Sequence, residues 1–172
     1  MLKIIIELLK TINPENADVN NVSDWEHREA ARAVVFDNEN RIGLLHVRKE
    51  NYYKLPGGGV EKGESLKVAL DRELKEELGI EIKVVKEIGS IIEFRASWKL
   101  QQTSYCFLAK INSEKKEPNF TAGEISVGFE TVWVSPTESL KLLNLKLTQD
   151  YEGKFIEERD FFFFSAALNK IE

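Results

Sequence analysis

The sequence predicts an α+β fold, namely an α/β/α sandwich built on a mixed β-sheet. Short runs of β-branched and aromatic residues fill the middle of the chain, as is typical of strands. Only a few segments show helical patterns, and they do not alternate regularly with the strands. The 172 residues, 42% of them hydrophobic, suffice for one domain with a substantial core and are few for two. We therefore expect a single domain over residues 1–172.

The strands are predicted from five runs and from one turn. AARAVVFDNENRIGLLHVR contains two β-rich runs separated by residues 37–40, whose Asp and Asn content favours a turn between paired strands. EIKVVKEIGSIIEFRA, TSYCFLAKI and SVGFETVWV follow with the same enrichment. The opening MLKIIIELLK is too short to span a bilayer and lacks the small-residue cleavage site of a secretory signal. We expect it to form a strand or a short helix over the core.

Three helices are predicted in the remainder of the chain. Ser65 as N-cap and Gly79 as C-terminal stop bracket a helix over residues 66–78. The segment SPTE at 135–138 combines a capping serine, a proline at the first helical position and a glutamate at the third, which predicts a short helix. Beyond Gly153, a closing helix is expected because apolar residues recur at helical spacing. Its predicted apolar side contains Phe155, Phe162, Phe163 and Ala166, and we expect the run of residues 161–164 to serve core packing.

Charge and cysteine content exclude some functions. A net charge of −5 disfavours a nonspecific grip on nucleic acid or on an anionic membrane, so we expect a small-molecule partner and neither of these two. Cys106 is the only cysteine of the chain, which excludes an intrachain disulfide framework. A reducing, cytoplasmic environment fits these features. The sequence leaves open whether the protein is a monomer or a homodimer.

The helix predicted at 66–78 has an unusual face. At about 100° per residue, Leu66 and Leu70 lie within about 60° of Glu73, and Glu76 and Glu77 fall in the same sector. Three crowded carboxylates on a core-facing stripe repel one another unless a cation neutralises them. Oxygen ligands suit hard ions, so we expect Mg²⁺ or Mn²⁺. The alternative is a solvated acidic face with i to i+4 ion pairs.

A run of three glycines, Gly57, Gly58 and Gly59, precedes this helix. Without side chains, the backbone can come close to a ligand, so that a main-chain carbonyl or amide can reach an ion or a phosphate. The alternative for the run by itself is a flexible turn. Its place before an acidic helix favours a phosphate and metal loop.

These residues resemble the signature of the Nudix (MutT-like) hydrolases, G-x5-E-x7-R-E-U-x-E-E-x-G-U, in which U is a bulky aliphatic residue. Every specified position is filled here, over residues 58–80. The matching residues are Gly58, Glu64, Arg72, Glu73, Leu74, Glu76, Glu77, Gly79 and Ile80. The flanking strands and the late helices also lie where the Nudix α/β/α sandwich would have them.

The resemblance implies hydrolysis of a nucleoside diphosphate linked to another moiety, by attack of water at phosphorus with divalent ions bound. By position, Glu73, Glu76 and Glu77 correspond to the metal-coordinating and catalytic carboxylates, and the carbonyl of Gly57 is a further possible ligand. Glu64 and Arg72 correspond to an ion pair that ties the loop to the helix. An arginine can hold a carboxylate in this bidentate way.

The general base remains open between several glutamates. Glu73 or Glu77 could serve, and Glu124, in the loop before the strand SVGFETVWV, is the downstream candidate. The alternative for Glu124 is an ordinary surface loop residue. Glu93, within IIEFR, is a further candidate with less support.

The substrate class is narrowed by what is absent after the signature. Nudix enzymes for ADP-ribose tend to carry a proline about fifteen residues beyond it, but no proline lies between Pro56 and Pro118. Nudix enzymes for dinucleoside polyphosphates tend to carry a tyrosine at a similar distance, but the first tyrosine after the signature is Tyr105, which lies farther away. A standard or oxidised nucleoside triphosphate is therefore favoured, with a nucleotide sugar next. The competing hypotheses are a non-catalytic nucleotide sensor of the same fold and a domain with a structural divalent ion, which leaves the glycine run unexplained.

Overall fold

A computed structural model describes residues 6–171, and its strands form one mixed β-sheet. The main path runs in the order β1-β6-β7-β2-β3-β4, while β5 pairs with β2 and β8 pairs with β3. The β1/β6 and β2/β7 pairs are parallel and the others are antiparallel, which confirms the mixed sheet. The strands are β1 (Leu8–Ile12), β2 (Glu26–Phe36), β3 (Ile42–Val47), β4 (Tyr52–Lys54), β5 (Gly57–Gly59), β6 (Ile82–Arg95), β7 (Leu100–Ile111) and β8 (Phe129–Val134).

Helices cover both faces of the sheet. They are α1 (Leu66–Leu78), α2 (Ala122–Ser126), α3 (Pro136–Leu142) and α4 (Tyr151–Leu168), and a 3-10 turn spans Ala96–Trp98. The helix α1 packs on one face, whereas α3 and α4 pack on the other. The predicted α/β/α sandwich is thus confirmed. Within residues 6–171, no helix combines the length and the apolar character needed to cross a lipid bilayer.

The alternation of side chains along β2 builds two separate cores. Val34 points to the α4 side, where it packs in a cluster with Phe155 and Phe163. Ala33 points to the α1 side, in a cluster with Leu70 and other apolar residues of α1. Successive strand residues face opposite sides of a sheet, so a single strand can serve both layers.

The caps predicted for two helices are present. The Ser65 side chain accepts a hydrogen bond from the Val68 N–H, and Gly79 ends α1 in the left-handed conformation at φ 65°. Ser135 caps α3 in the same way, through the N–H of Glu138. The helix α1 therefore begins and ends at the predicted residues, and α3 begins where its cap predicted, because these boundaries depend on local side-chain to backbone hydrogen bonds.

The hairpin of β2 and β3 is confirmed by the antiparallel pairing of Phe36 with Ile42. In the opening segment, residues 8–12 form a strand parallel to β6, while residues 1–5 lie outside the described part of the chain. The final predicted strand begins only at Phe129, because residues 122–126 form the short helix α2. Glu124 consequently lies in a helix and not in a loop.

The closing helix begins earlier than predicted, and a different side of it faces the core. Asp150 accepts a hydrogen bond from the N–H of Gly153, so this glycine lies inside the first turn of α4 and does not precede the helix. The most buried aromatic pair is Phe163 and Phe164, whereas Phe162, which was expected on the apolar side, is only half buried. Apolar spacing alone could not fix the rotation, since four consecutive phenylalanines offer similar faces in several directions.

Candidate active site

The glycine run is a short strand in close contact with its neighbours. Gly57 to Gly59 form β5, which pairs antiparallel with residues 30–32 of β2. Gly57 has φ 129°, and a Cβ atom there would overlap the carbonyl oxygen of Ala31 and lie 2.7 Å from the Cα of Arg32. The alternative interpretation of the glycine run, a flexible turn, is therefore wrong. The backbone of β2 leaves no room for a side chain at this position.

The acidic end of α1 faces this strand. A Cβ atom on Gly58 would lie 2.5 Å from the Cδ atom of Glu73, so the Glu73 carboxylate rests directly on the glycine backbone. Glu77 is buried, with 1% of its surface exposed. Its Oε2 accepts a hydrogen bond of 2.6 Å from the Gly57 N–H, and its Oε1 accepts one of 3.2 Å from Lys54 Nζ.

Arg72 ties the loop to the helix. Its Nε and Nη2 donate to the two carboxylate oxygens of Glu64 at 2.8 and 2.9 Å, and Nη2 also donates to the Gly59 carbonyl at 3.0 Å. Its Nη1 donates to Glu73 Oε1 at 2.7 Å and lies 3.7 Å from Glu76 Oε2. The hydrogen bonds from Arg72 hold the pKa of Glu64 at about 2. One guanidinium thus connects the loop with two carboxylates of α1.

Replacing Arg72 by lysine is expected to reduce kcat/KM by about 10- to 100-fold, a typical effect for a group that orients ligating side chains. Lysine keeps the charge but cannot donate from a planar fork to Glu64 while also reaching Glu73 and the Gly59 carbonyl. Steady-state kinetics checks this result. The matched control is Arg41→Lys, which alters an arginine that pairs with Asp37 at the β2/β3 turn. Equal activity of both variants would contradict a positioning role for Arg72.

The carboxylates of α1 are held in an environment that disfavours their charge. Burial raises the pKa of Glu77 to about 7, and Lys54 and the Gly57 N–H offset this effect only in part. Burial, followed by the negative charge of Glu73, also raises the pKa of Glu76. Such shifts indicate a place where an added cation is favourable.

The raised pKa of Glu77 predicts a pH dependence of stability in metal-free protein. A carboxyl whose folded-state pKa exceeds the unfolded value of about 4.3 stabilises the fold when protonated, and this contribution is lost as pH rises through about 7. From pH 7 down to about pH 5, wild type is therefore expected to gain about 2 kcal/mol relative to Glu77→Gln, with a slope of at most about 1.4 kcal/mol per pH unit. Urea unfolding with a chelator present measures this difference. A constant difference across this range would refute it.

One cleft of about 520 Å³ collects most of the predicted site residues. Its lining includes Gly57, Gly58, Gly59, Glu73, Glu77 and Glu124. Glu76 is not part of the lining; its side chain is 38% exposed and its carbonyl accepts a hydrogen bond from the Asn119 N–H. Glu124 is also bonded locally, since its Oε2 accepts a hydrogen bond of 2.7 Å from the Thr121 N–H at the start of α2.

Glu93 lies in a different place from the cleft lining. It is fully buried and forms ion pairs with Arg95 at 3.0 Å and with Arg159 at 3.2 Å. Although burial opposes its ionisation, these two arginines lower its pKa. The structure therefore gives Glu93 a place in a buried ion network and no direct access to a substrate.

Sequence reasoning missed the other polar groups of the cleft. Arg28, Arg32 and Lys54 supply positive charge, and Gln102 and Glu152 line the cleft as well. Arg32 Nη1 donates to the Gly57 carbonyl at 2.9 Å. One signal in the sequence was the position of Arg32 inside the β-rich run AARAVVF, since a strand in a sandwich core is expected to be apolar on both faces.

The residues of α1 fit a hard divalent cation by their donor chemistry. Glu73, Glu76 and Glu77 offer carboxylate oxygens, and the Gly57 carbonyl retains a second lone pair beside its bond to Arg32. However, no three His, Cys, Asp or Glu side chains between residues 6 and 171 are grouped closely enough to hold a metal. Binding would therefore require the carboxylates to come closer together and Glu77 to exchange its contact with Lys54 for the ion, while Glu73 can keep Oε1 on Arg72 and offer Oε2.

Fold and sequence together define the class of this protein. The family model described as NUDIX domain matches residues 26–159, and the chain belongs to the Nudix family. This result confirms the resemblance noted in the signature at residues 58–80. The matched range runs from the start of β2 into α4 and so includes every residue of the cleft lining.

Several curated relatives carry names of pyrophosphohydrolases. The chain is 36% identical over 63 residues to RNA pyrophosphohydrolase of Campylobacter jejuni, a match that covers 36% of this chain and 40% of the relative. It is 37% identical over 83 residues to RNA pyrophosphohydrolase of Nitratiruptor sp., covering 40% of this chain and 54% of the relative. The match to NAD-capped RNA hydrolase NudC of Mycobacterium tuberculosis is 29% over 111 residues, covering 63% of this chain and 33% of that protein. The chain thus spans about a third to a half of these relatives.

Solved structures share the fold at low sequence identity. A NUDIX hydrolase from Nitrosomonas europaea aligns with a TM-score of 0.62 and 17% identity, covering 86% of this chain and 97% of that one. An ADP-ribose pyrophosphatase from Streptococcus suis aligns with a TM-score of 0.54 and 20% identity, covering 84% and 94%. These likenesses establish the Nudix architecture and leave the substrate to the residues of the cleft.

Proposed function

We propose that this protein is a divalent-metal-dependent Nudix pyrophosphohydrolase that hydrolyses a nucleoside diphosphate linked to another moiety by attack of water at phosphorus. The observation that carries this proposal is the cleft, in which Glu73 and Glu77 face the glycine strand beside three cationic side chains. These cations, Arg28, Arg32 and Lys54, can attract an anionic substrate locally although the chain has a net charge of −5.

The residues of the chain have separate roles in this proposal. Glu73, Glu76, Glu77 and the Gly57 carbonyl would hold Mg²⁺ or Mn²⁺, and the Gly57–Gly59 backbone would lie against the phosphates. A bound divalent ion supplies charge neutralisation for the pyrophosphate and lowers the pKa of water. Arg72 keeps Glu73 and the loop in position through the contacts described above. Lys54 must leave Glu77 for the carboxylate to bind an ion, and the substrate phosphates are its natural new partner.

We keep three glutamates as candidates for the general base. Glu73 and Glu77 lie closest to the glycine strand, but both are engaged by cations in the present arrangement. Glu124 lines the same cleft from α2, where it also caps the helix. Pre-steady-state hydrolysis by Glu73→Gln and Glu124→Gln, at saturating Mg²⁺, separates the base from a residue that affects metal binding alone.

The favoured substrate is a standard or oxidised nucleoside triphosphate, and a nucleotide sugar is next. The relatives named RNA pyrophosphohydrolase add a third candidate, an RNA with a 5′-triphosphate. This chain aligns with two of these relatives over 63 and 83 residues. Recognition of such an end would need only the terminal phosphates in the cleft, so the net charge of −5 does not oppose it.

The test is release of phosphate and pyrophosphate in the presence of Mg²⁺ from a panel of substrates. The panel contains standard and oxidised nucleoside triphosphates, nucleotide sugars, ADP-ribose, dinucleoside polyphosphates and RNA with a 5′-triphosphate or an NAD cap. Wild type is compared with Glu77→Gln. Turnover of one class by wild type alone supports the proposal and names the substrate class. No turnover, with thermal stabilisation by a nucleotide still present, would instead indicate a nucleotide-binding module.

Two observations favour the alternative of a binding module. Lys54 occupies Glu77, and three carboxylates are not grouped around a common point in the described part of the chain. A sensor that binds nucleotides without metal could keep this ion pair. Metal-dependent turnover in the panel above would exclude it.

The proposal covers a monomer or a homodimer, and sedimentation equilibrium distinguishes these two states.

A further inference from the structure

A buried ion pair on the α4 side of the sheet connects two cleft residues. Glu93 and Arg95 are 0% and 1% exposed, and Arg95 Nη2 lies 3.0 Å from Glu93 Oε1. A buried charged pair is costly to desolvate and is weak evidence for stability by itself. Besides Arg159, which donates to Glu93 Oε2 at 3.2 Å, the pair contacts two side chains of the cleft, Gln102 and Glu152.

One end of the pair fixes the amide of Gln102. Glu93 Oε2 can only accept hydrogen bonds, so the group 3.0 Å away must be the Gln102 NH₂. The same nitrogen lies 3.1 Å from the hydroxyl of Ser104. Both amide hydrogens are therefore committed inside the protein. The atom of this buried side chain that remains for the cleft is the carbonyl oxygen, which is an acceptor.

The other end of the pair fixes the carboxylate of Glu152, a residue of the first turn of α4. Arg95 Nη1 donates to Glu152 Oε1 at 2.7 Å, which leaves Oε2 free. Although burial opposes ionisation of Glu152, the hydrogen bond and charge of Arg95 lower its pKa. An ionised carboxylate only accepts hydrogen bonds. The cleft thus holds two acceptor oxygens that are oriented from behind by one buried pair.

We propose that Gln102 and Glu152 form a nucleobase subsite that recognises guanine through its adjacent N–H donors. The guanine edge carries the N1–H and the exocyclic amine side by side, which matches two acceptors. The adenine edge has an acceptor, N1, next to its amine, so one acceptor oxygen of the protein would face another acceptor. Sites that hydrogen-bond a substrate group discriminate against an analogue that leaves their polar atoms unpaired.

This subsite rests on the proposed function in one respect, because it assigns the nucleoside end of the substrate in the same cleft. The glycine strand and its cations would hold the phosphates, and the acceptors of β7 and α4 would hold the base. Binding of nucleoside monophosphates tests the subsite by itself, since these ligands contain no anhydride bond that the enzyme could hydrolyse.

The experiment measures the affinities of GMP, IMP and AMP for wild type by isothermal titration calorimetry. IMP keeps the N1–H and lacks the exocyclic amine, so we expect affinity to fall from GMP to IMP to AMP, with GMP at least about tenfold tighter than AMP. In Glu152→Gln and in Gln102→Met, the preference for GMP is expected to fall below about threefold. The control Glu158→Gln lies on the same helix, pairs with Lys10 and should retain the full preference.

Each remaining outcome separates this inference from the proposed function. Equal affinities of wild type for GMP and AMP, or no measurable binding of GMP, overturn the guanine subsite even if a nucleotide is hydrolysed in the panel. A preference that persists in both variants overturns the assignment to Gln102 and Glu152. A GMP preference without hydrolysis of any substrate supports the subsite and refutes the enzymatic proposal.

Discussion

Glu77→Gln is expected to lower kcat by at least about a thousandfold while the protein remains folded. Glu77 is the one carboxylate of α1 that is fully buried and bonded to the backbone of the glycine strand. Glutamine can still accept the hydrogen bond from the Gly57 N–H, so the loop should stay in place. The substitution removes the negative charge that would bind a divalent ion. The bound ion contributes several kcal/mol of transition-state stabilisation.

The measurement combines steady-state kinetics on the best substrate with thermal unfolding and Mn²⁺ binding. Asp71→Asn is the matched control, because it removes one carboxylate charge from an exposed position of the same helix. We expect the control to keep wild-type activity and Mn²⁺ affinity. A Glu77→Gln variant with activity near that of wild type would remove Glu77 from the metal site and would overturn the site assignment.

Gly57→Ala is expected to lower the free energy of unfolding by about 2–5 kcal/mol, which corresponds to a decrease in Tm of about 5–15 °C. Two effects add at this position. Its φ of 129° is strained for any residue with a side chain, and the new methyl group would overlap the backbone of Ala31. Backbone atoms of a central strand cannot move aside as a flexible side chain can.

Chemical and thermal unfolding measure this loss, and kinetics on the folded fraction measures its effect on the site. Gly123→Ala is a suitable control, since its Cβ would lie 3.9 Å from the Thr121 hydroxyl and would meet nothing closer. The control should change stability by less than about 0.5 kcal/mol. If Gly57→Ala were as stable as the control, the tight pairing of the glycine strand with β2 would be incorrect.

The cations of the cleft would allow this acidic protein to bind the anionic substrate that we propose. Arg32 lies on β2 and holds the Gly57 carbonyl, while Lys54 on β4 holds Glu77. Both residues are less than 10% exposed. Their charges therefore act over a short range inside the cleft and are poorly screened by salt, unlike those on the surface.

Local sequence was enough to predict α1 and the side of the helix on which its carboxylates lie. Ser65 and Gly79 set the ends of the helix through hydrogen bonds to nearby backbone atoms. The spacing of Glu73 and Glu77 placed their carboxylates on one side for the same reason, since the geometry of a helix is fixed by residues three and four apart. The mixed sheet and the two helical layers followed from the order of strand and helix patterns.

The composition of the cleft was decided by tertiary structure alone. Arg32, Lys54, Gln102 and Glu152 come from β2, β4, β7 and α4, and no short-range pattern connects them. They meet because β2 pairs in parallel with β7 and because α4 packs across that face of the sheet. The strand conformation of the glycine run has the same origin, since it depends on pairing with residues 30–32 of β2. Hydrogen bonds within a helix are local, whereas strand pairing and the packing of layers join residues that are distant in the chain.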